Sequence, residues 1–238
     1  MEAKYHRRET FTMIRVYVVC EGQTEETFIR DVLAPIFSYQ QIYLVARTIS
    51  SSPGNKGGAL NYQRVRQFIL RCLKEQKNTI ITTFFDLYGL HKEFPGFSES
   101  QSVVDVYQRV VFLEQALEKD IIQENEEYNS RFLPYIQPYE FEGLLFSDIE
   151  KLTELESGWK AKLTSLIAIR ESVETPEHIN NGYDTKPSEH LKKHLKNPNY
   201  RKTLHGPLAI QSIGIDKLCE QCKHFATWYQ QLHGLRIA

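Results

Sequence analysis

The chain has 238 residues, of which 41% are apolar and 25% are charged, with a formal net charge of −1. This balance is typical of a folded globular protein and excludes an intrinsically disordered chain. It also excludes a generally basic nucleic-acid-binding protein, so any such function must depend on local patches.

Targeting and redox signals point to the cytoplasm. No apolar run approaches the roughly 18 residues that span a bilayer, so we expect no membrane association. Residues 1–12 are charged and lack the apolar centre of a secretory signal, and we interpret them as a flexible extension. Four scattered cysteines do not form a disulfide scaffold, and Cys219-x-x-Cys222 is only a weak zinc candidate.

The first half of the chain alternates between two periodicities. Short β-branched apolar runs indicate buried strands, and apolar residues at helical spacing indicate the helices between them. Pro35 is expected to end the first helix, and residues 50–58 form a loop rich in Ser, Pro and Gly. In chain order we predict strands at 14–20, 41–48, 79–85 and 132–137, and helices at 24–33, 62–77 and 103–122.

Beyond Asp148 the strand signals fade and helical pieces dominate. We predict helices at 149–155, 159–171, 188–195, 206–222 and 226–232, with a long loop over 174–188. The alternation before residue 150 is typical of an α/β domain with a mostly parallel four-stranded sheet flanked by helices. We therefore predict that domain over residues 13–150 and a mainly helical C-terminal subdomain over residues 151–238.

Carboxylates follow three of the predicted strands. Glu21 comes directly after the first strand, Asp86 after the third, and Glu140 and Glu142 after the fourth. Because the carboxyl ends of parallel strands lie along one edge of a sheet, these acids should converge there. Carboxylate oxygens are the ligands that Mg²⁺ and Mn²⁺ prefer, so the pattern predicts a divalent-metal site.

Glu25 adds to this cluster. Thr24 is the expected N-cap of the first helix, which places Glu25 in its first turn, close to Glu21. Gly22 would let the backbone turn sharply between strand and helix. Acids at helix starts are also common as plain caps, and only the joint placement of these carboxylates favours a metal site.

Two resemblances extend this interpretation. The run Glu-Gly-x-Thr-Glu over residues 21–25, with Asp86 after the third strand, resembles the Toprim domain of topoisomerases, primases and OLD-family nucleases. The spacing Glu21-x-x-x-Glu25 is most similar to the OLD branch. From Met13 onward, the segments VVCEGQTEETF, FFDLYGL, PYEFEGLLFSD, ETPEHIN and YRKTLHGPLAI resemble the DUF4276 family.

The Toprim resemblance, which covers about residues 13–150, implies a metal-dependent active site. In the OLD branch it implies a nuclease that acts beside an ABC-type ATPase in phage defence. The Asp-x-Asp motif of the domain reads Asp86-Leu87-Tyr88 here, so its second acid is missing. Glu140 or Glu142 would have to substitute for it.

Basic residues supply candidate phosphate contacts. Lys202, at a loop-to-helix junction, could stabilise charge on a phosphate in the transition state. The alternative for the lysines near residue 192 is a solvated helix face. Tyr88 and Tyr139 flank the acids and could stack on a base. The candidate nucleic-acid contacts are Lys92, Lys186, Lys192, Arg201, Lys202 and His205.

These observations favour a Mg²⁺- or Mn²⁺-dependent endonuclease, with Glu21, Glu25, Asp86 and Lys202 catalytic and DNA the favoured substrate over RNA. The first rival is a non-catalytic module of the same fold that regulates an ABC-type ATPase. The second rival is nucleotidyl transfer, which would require nucleoside triphosphates. A homo-oligomer is left open.

Overall fold

The computed structural model describes residues 13–49, 61–180, 182 and 185–235. The predicted extension at 1–12 and the predicted loop at 50–58 lie outside the described residues. Within the described part of the chain, no helix combines the length and the apolar character needed to cross a membrane.

A parallel sheet forms the centre of the molecule, as predicted. Its strands are β1 (Ile14–Cys20), β2 (Ile42–Thr48), β3 (Thr79–Asp86), β4 (Phe132–Leu133) and β5 (Ile136–Gln137). Strand β1 lies between β2 and β3, and both short strands β4 and β5 pair with β3 on its other side. Every pairing is parallel, so all the strands end at the same edge.

The prediction of a single fourth strand at 132–137 is wrong, because the strand is interrupted between β4 and β5. Pro134 has no backbone N–H to give to a ladder. The neighbouring Tyr135 is held by the Thr83 hydroxyl, which accepts from its N–H at 2.8 Å and donates to its carbonyl oxygen at 2.7 Å. A side chain of β3 thus adds to the single backbone bond at this point, from the Phe85 N–H to the Tyr135 carbonyl at 3.5 Å.

The first helix is longer than predicted. Helix α1 (Gln23–Phe28) continues through a π-helical turn at Ile29–Leu33 into α2 (Ala34–Ser38). Pro35 lies in the first turn of α2, where its missing N–H costs little, and it does not end the helix. The wide π turn, closed by the bond from the Ala34 N–H to the Ile29 carbonyl, precedes the proline.

Two apolar cores lie on the two faces of the sheet. One face packs against α3 (Tyr62–Glu75) and α5 (Val106–Ile122), and the short α4 (Phe97–Ser100) lies between these two helices in the chain. Helix α5 begins three residues later than predicted, because the Asp105 side chain accepts from the Gln108 N–H and caps it there.

The opposite face packs against α1 and the C-terminal helices. Phe28 and Phe84 share one core with Leu191, Ile210 and Trp228, so residues from both predicted segments contribute to it. The boundary predicted at residue 150 stays a prediction. The helices are α6 (Ile149–Glu154), α7 (Leu163–Glu171), α8 (Pro187–His194), α9 (Lys202–Ile213), α10 (Ile215–Gln221) and α11 (Lys223–His233), with 3₁₀ turns at Glu126–Ser130, Phe141–Ser147, Lys160–Lys162 and Pro176–His178.

The helix predicted at 206–222 is divided in the structure. Gly214, at φ +87°, separates α9 from α10 and adopts a backbone conformation that residues with a Cβ atom rarely adopt. The first of the two helices begins four residues earlier than predicted, at Lys202. This earlier start places Lys202 in the first turn of α9.

Buried Glu177 anchors α11 to the rest of the fold. Its carboxylate accepts from the backbone N–H groups of His224 and Phe225 at 3.0 and 3.1 Å, and from the Tyr107 hydroxyl at 2.9 Å. We expect Glu177→Ala to lower the free energy of unfolding by about 3 kcal/mol, since each orphaned buried donor costs about 1–3 kcal/mol. Urea denaturation measures this change.

The matched control is Glu174→Ala, three residues earlier. Glu174 is exposed and pairs with Lys223 at 2.8 Å, a surface ion pair. Its removal should leave the free energy of unfolding nearly unchanged, because solvent screens this ion pair. Equal losses in the two variants would show that Glu177 does not anchor α11.

Candidate active site

The ends of β1 and β3 bring the first three acids together. Glu21 follows the last residue of β1, and Asp86 is the last residue of β3. Gly22, in extended conformation, is the N-cap of α1, so the prediction that Thr24 caps this helix is wrong. Thr24 lies inside the first turn and is buried, and Glu25 lies beside it in the same turn, as expected.

The segment after β5 adds two more carboxyl groups. The Phe141 N–H donates to Asp86 Oδ1 at 2.8 Å, which fixes this segment beside the end of β3. Glu140 and Glu142 flank Phe141 and are both buried. Neither oxygen of Glu142, which is only 1% exposed, accepts a hydrogen bond from a described residue.

Lys202 lies at the centre of this acid cluster, which we define as Glu21, Glu25, Asp86, Glu140 and Glu142. Its Nζ is 3.3 Å from Glu25 Oε1, 3.4 Å from Asp86 Oδ2 and 3.3 Å from Glu142 Oε2. The side chain is 37% exposed, so the ammonium bridges buried acids and an open pocket. One ammonium group therefore offsets the negative charge of carboxylates from three separate elements.

A second lysine completes the pocket. Lys186 Nζ is 2.8 Å from Glu140 Oε1, and the Ser188 N–H donates to Glu140 Oε2 at 3.0 Å. The pocket has a volume of about 370 Å³ and is lined by Glu21, Gly22, Gln23, Thr24, Glu25, Asp86, Tyr88, Gly89, Glu140, Lys186 and Lys202. Its lining carries more carboxylate than ammonium groups, so it attracts cations.

Two glycines that the sequence reasoning missed make this geometry feasible. A Cβ at Gly89 would overlap Glu21 Oε2, so a side chain at this position would displace that carboxylate. A Cβ at Gly206 would lie 3.0 Å from Phe141 Cε1 and 3.3 Å from Thr24 Cγ2. Gly206 thus lets α9 approach α1 closely enough for Lys202 to reach the acids. The sequence signal for this close approach was Gly206 itself, a glycine inside a predicted helix in the run His-Gly-Pro.

Burial raises the pKa of several acids above the ordinary range. Burial raises the pKa of Asp86 and Glu142, and Lys202 opposes this effect. Burial and the neighbouring Glu25 raise the pKa of Glu21 to about 7. Burial disfavours the charge of Lys202, but the surrounding carboxylates raise its pKa well above the usual value, so it is ammonium at neutral pH.

The other predicted nucleic-acid contacts lie outside the pocket. Lys92 and Arg201 are exposed, and Lys192 is an exposed partner of Glu189 at 2.7 Å, which fits the solvated helix face. The predicted contact of His205 with nucleic acid stays a prediction, and its side chain is buried in this structure. His205 is 1% exposed, packs against Trp159 and accepts the Arg201 N–H through Nδ1.

The carboxylate groups of the acid cluster are chemically suitable ligands for a divalent cation. All its side chains offer hard oxygen ligands, and the oxygens of buried Glu142 accept no hydrogen bond from a described residue, although Lys202 Nζ lies 3.3 Å from Oε2. Across the described ranges, however, no group of three or more His, Cys, Asp or Glu side chains is arranged around a common metal position. The acids are instead arranged around the Lys202 ammonium.

Comparison with known proteins gives a family. No curated protein and no solved structure matches the chain. A family model described as "Domain of unknown function (DUF4276)" matches residues 20–233, which include all the residues of the acid cluster and both lysines of the pocket. The chain therefore belongs to the DUF4276 family.

Proposed function

We propose that this protein is a divalent-metal-dependent nuclease that cleaves phosphodiester bonds of nucleic acid. One observation carries the proposal: four carboxyl groups and two ammonium groups line one open pocket, and the ammonium of Lys202 lies within 3.4 Å of three carboxylates. Such a set of hard oxygen ligands binds Mg²⁺ or Mn²⁺ and leaves room for phosphate oxygens.

The residues divide into two roles under this proposal. Glu21, Glu25 and Asp86, with Glu140 or Glu142, would hold the metal, which supplies Lewis acidity and a nucleophilic water at neutral pH. The pKa of Glu21 is about 7 without metal, so Glu21 would release its proton when the cation binds. Lys202, on the exposed side of the acids, can neutralise charge that develops on the phosphate oxygens.

The setting of this activity is also part of the proposal. The similarity to OLD-type nucleases supports an effector that acts in the cytoplasm beside an ABC-type ATPase in phage defence. DNA is the favoured substrate over RNA. A homo-oligomeric assembly fits the same setting.

Two features favour a rival, a non-catalytic module that regulates a partner ATPase. Tyr88 occupies the position of the second acid of the Asp-x-Asp motif. Lys202 lies where a cation would contact Glu25, Asp86 and Glu142. On this account the ammonium is a permanent counter-ion, and metal binds weakly or not at all.

Cleavage assays test the proposal. Supercoiled plasmid and total RNA are incubated with the protein in Mg²⁺ or Mn²⁺, and wild type is compared with a Glu21→Ala, Asp86→Ala double variant. We expect divalent-dependent nicking by the wild type and a loss of at least about a hundredfold in the variant, because both removed groups are proposed metal ligands.

The controls separate the rivals. The reaction contains no nucleoside triphosphates, so cleavage excludes nucleotidyl transfer as the required activity. If wild type and variant are both inactive, the assay is repeated with an ABC-type ATPase encoded beside the protein. Inactivity in that mixture, or equal cleavage by wild type and variant, would refute the nuclease.

A further inference from the structure

An exposed aromatic ring forms one wall of the acidic pocket. Tyr88 follows Asp86 by two residues, lines the same pocket, and is 42% exposed. The other lining residues are acids, lysines, glycines and small polar side chains. A large apolar surface at this place is not needed to hold a metal, so it calls for a ligand that has an apolar face.

The ring of Tyr88 is held in one orientation. Its hydroxyl donates to the Asn180 side-chain oxygen, and its backbone N–H donates to the Tyr139 carbonyl at 3.1 Å. The Tyr139 ring packs beside it with centroids 5.6 Å apart. Tyr139 itself adopts φ +55°, a left-handed conformation that is unfavourable for a tyrosine. Strained residues of this kind concentrate at ligand sites.

A cation lies over the face of this ring. Lys186 Nζ is 5.7 Å from the centre of the Tyr88 ring and is held by Glu140 at 2.8 Å. On the other side of the pocket, Lys202 lies among the acids. The pocket therefore offers an oriented aromatic ring with one ammonium group over it and a second ammonium group in the same lining, close to the acid cluster.

We propose that this pocket takes an unpaired nucleotide of a nucleic-acid strand, with the base against Tyr88 and its phosphate between Lys186 and Lys202. A ring two residues from Asp86 is within the reach of one nucleotide whose phosphate lies at the acids. A base inside an intact duplex is covered by its neighbours and cannot reach the ring. Base–aromatic stacking tolerates any sequence, so the proposal predicts single-stranded or locally unpaired substrates. It rests on the proposed function, which it makes more specific.

Fluorescence binding tests this inference without any cleavage step. A single-stranded oligonucleotide carrying 2-aminopurine at its centre is titrated with protein in Ca²⁺, and the same strand is titrated after annealing to its complement. We expect the single strand to bind more tightly and its fluorescence to be quenched by stacking. Tyr88→Ala should weaken this binding about 5- to 100-fold and remove the quenching, which corresponds to the usual loss of one stacked base.

Tyr88→Phe is the matched control, because it keeps the ring and removes only the bond to Asn180. It should bind and quench nearly as the wild type does. Unchanged binding and quenching by Tyr88→Ala, or equal affinity for the duplex, would overturn the inference. Displacement of the strand by free AMP at equal concentration would assign the pocket to mononucleotides instead of strands and would also overturn it.

The failure of this inference and the failure of the nuclease proposal have different signatures. The titrations are repeated without metal in a Glu21→Gln, Asp86→Asn background, where fewer carboxylates repel the phosphate. Stacking that depends on Tyr88 in both backgrounds, with no cleavage under any condition, would support the inference and refute the nuclease. Metal-dependent cleavage together with unchanged binding by Tyr88→Ala would do the reverse.

Discussion

Replacing Lys202 with methionine is expected to destabilise the protein by about 2 kcal/mol at pH 8 in the absence of divalent metal. The substitution keeps the length of the aliphatic chain and removes the ammonium that faces Glu25, Asp86 and Glu142. Breaking a fully buried ion pair costs about 3–5 kcal/mol, and the 37% exposure of Lys202 reduces that figure. Chemical denaturation gives the value directly.

The loss should depend on pH and on metal. The raised pKa of Lys202 means that its contribution is fully present at pH 8 and would be lost only at strongly alkaline pH. Toward pH 5, Asp86 and Glu142, whose pKa values burial already raises, take up protons, so the variant should recover stability. Saturating Mn²⁺ should also restore it, because an ion bound only to the folded state stabilises that state.

Lys192→Met is the matched control for this prediction. Lys192 pairs with Glu189 on the exposed side of α8, so its loss should cost no more than about 0.5 kcal/mol. Equal effects of the two substitutions, or a Lys202→Met loss that is the same at pH 5 and pH 8, would contradict the central position of this ammonium.

Glu21→Gln is expected to act in the opposite direction and stabilise the metal-free protein by about 2 kcal/mol at pH 8. Burial and Glu25 raise the pKa of Glu21 from 4.5 to about 7, so the folded state holds this proton more tightly than the unfolded state. Between these two pKa values the unfolded state binds fewer protons, and stability falls as pH rises. The full shift corresponds to about 3 kcal/mol, which partial exposure of Glu21 reduces.

The difference between wild type and Glu21→Gln should vanish near pH 4, where both carry an uncharged side chain at position 21. Unfolding curves at pH 4, 6 and 8 measure it. The same variant should lose cleavage, since it removes a proposed metal ligand. If Glu21→Gln is more stable than the wild type and does not cleave nucleic acid, the repulsion between the clustered acids lowers the stability of the active protein. A difference between the two proteins that does not change with pH would refute this account.

The sheet and the convergence of its acids could be predicted from the sequence, because both depend on local pattern. Runs such as Ile14–Cys20 read as buried strands, and parallel strands carry the residues that follow them to one edge. Glu21 and Asp86 therefore lie together as expected, and the 3₁₀ turn after β5 places Glu142 beside them.

The rest of the site depends on tertiary contacts that no local pattern encodes. Lys202 and His205 belong to one helix and one motif, yet Lys202 faces the acids and His205 is buried against Trp159. The rotation of α9 against α1, which Gly206 permits, decides between these positions. Likewise, the π turn before Pro35 that lets the first helix continue has no periodicity of its own.

Direct measurement of Mn²⁺ binding tests the central claim, that the acid cluster is a divalent-metal site. Calorimetry and the Mn²⁺ paramagnetic resonance signal are compared for wild type, Asp86→Asn and Asp105→Asn. The Asp86→Asn substitution keeps a side-chain oxygen for the Phe141 N–H, and Asp105, the cap of α5, is a matched Asp→Asn control away from the pocket. We predict saturable binding by wild type and Asp105→Asn, and a loss of at least about tenfold in affinity for Asp86→Asn. No binding by wild type, or equal binding by all three proteins, would contradict the account.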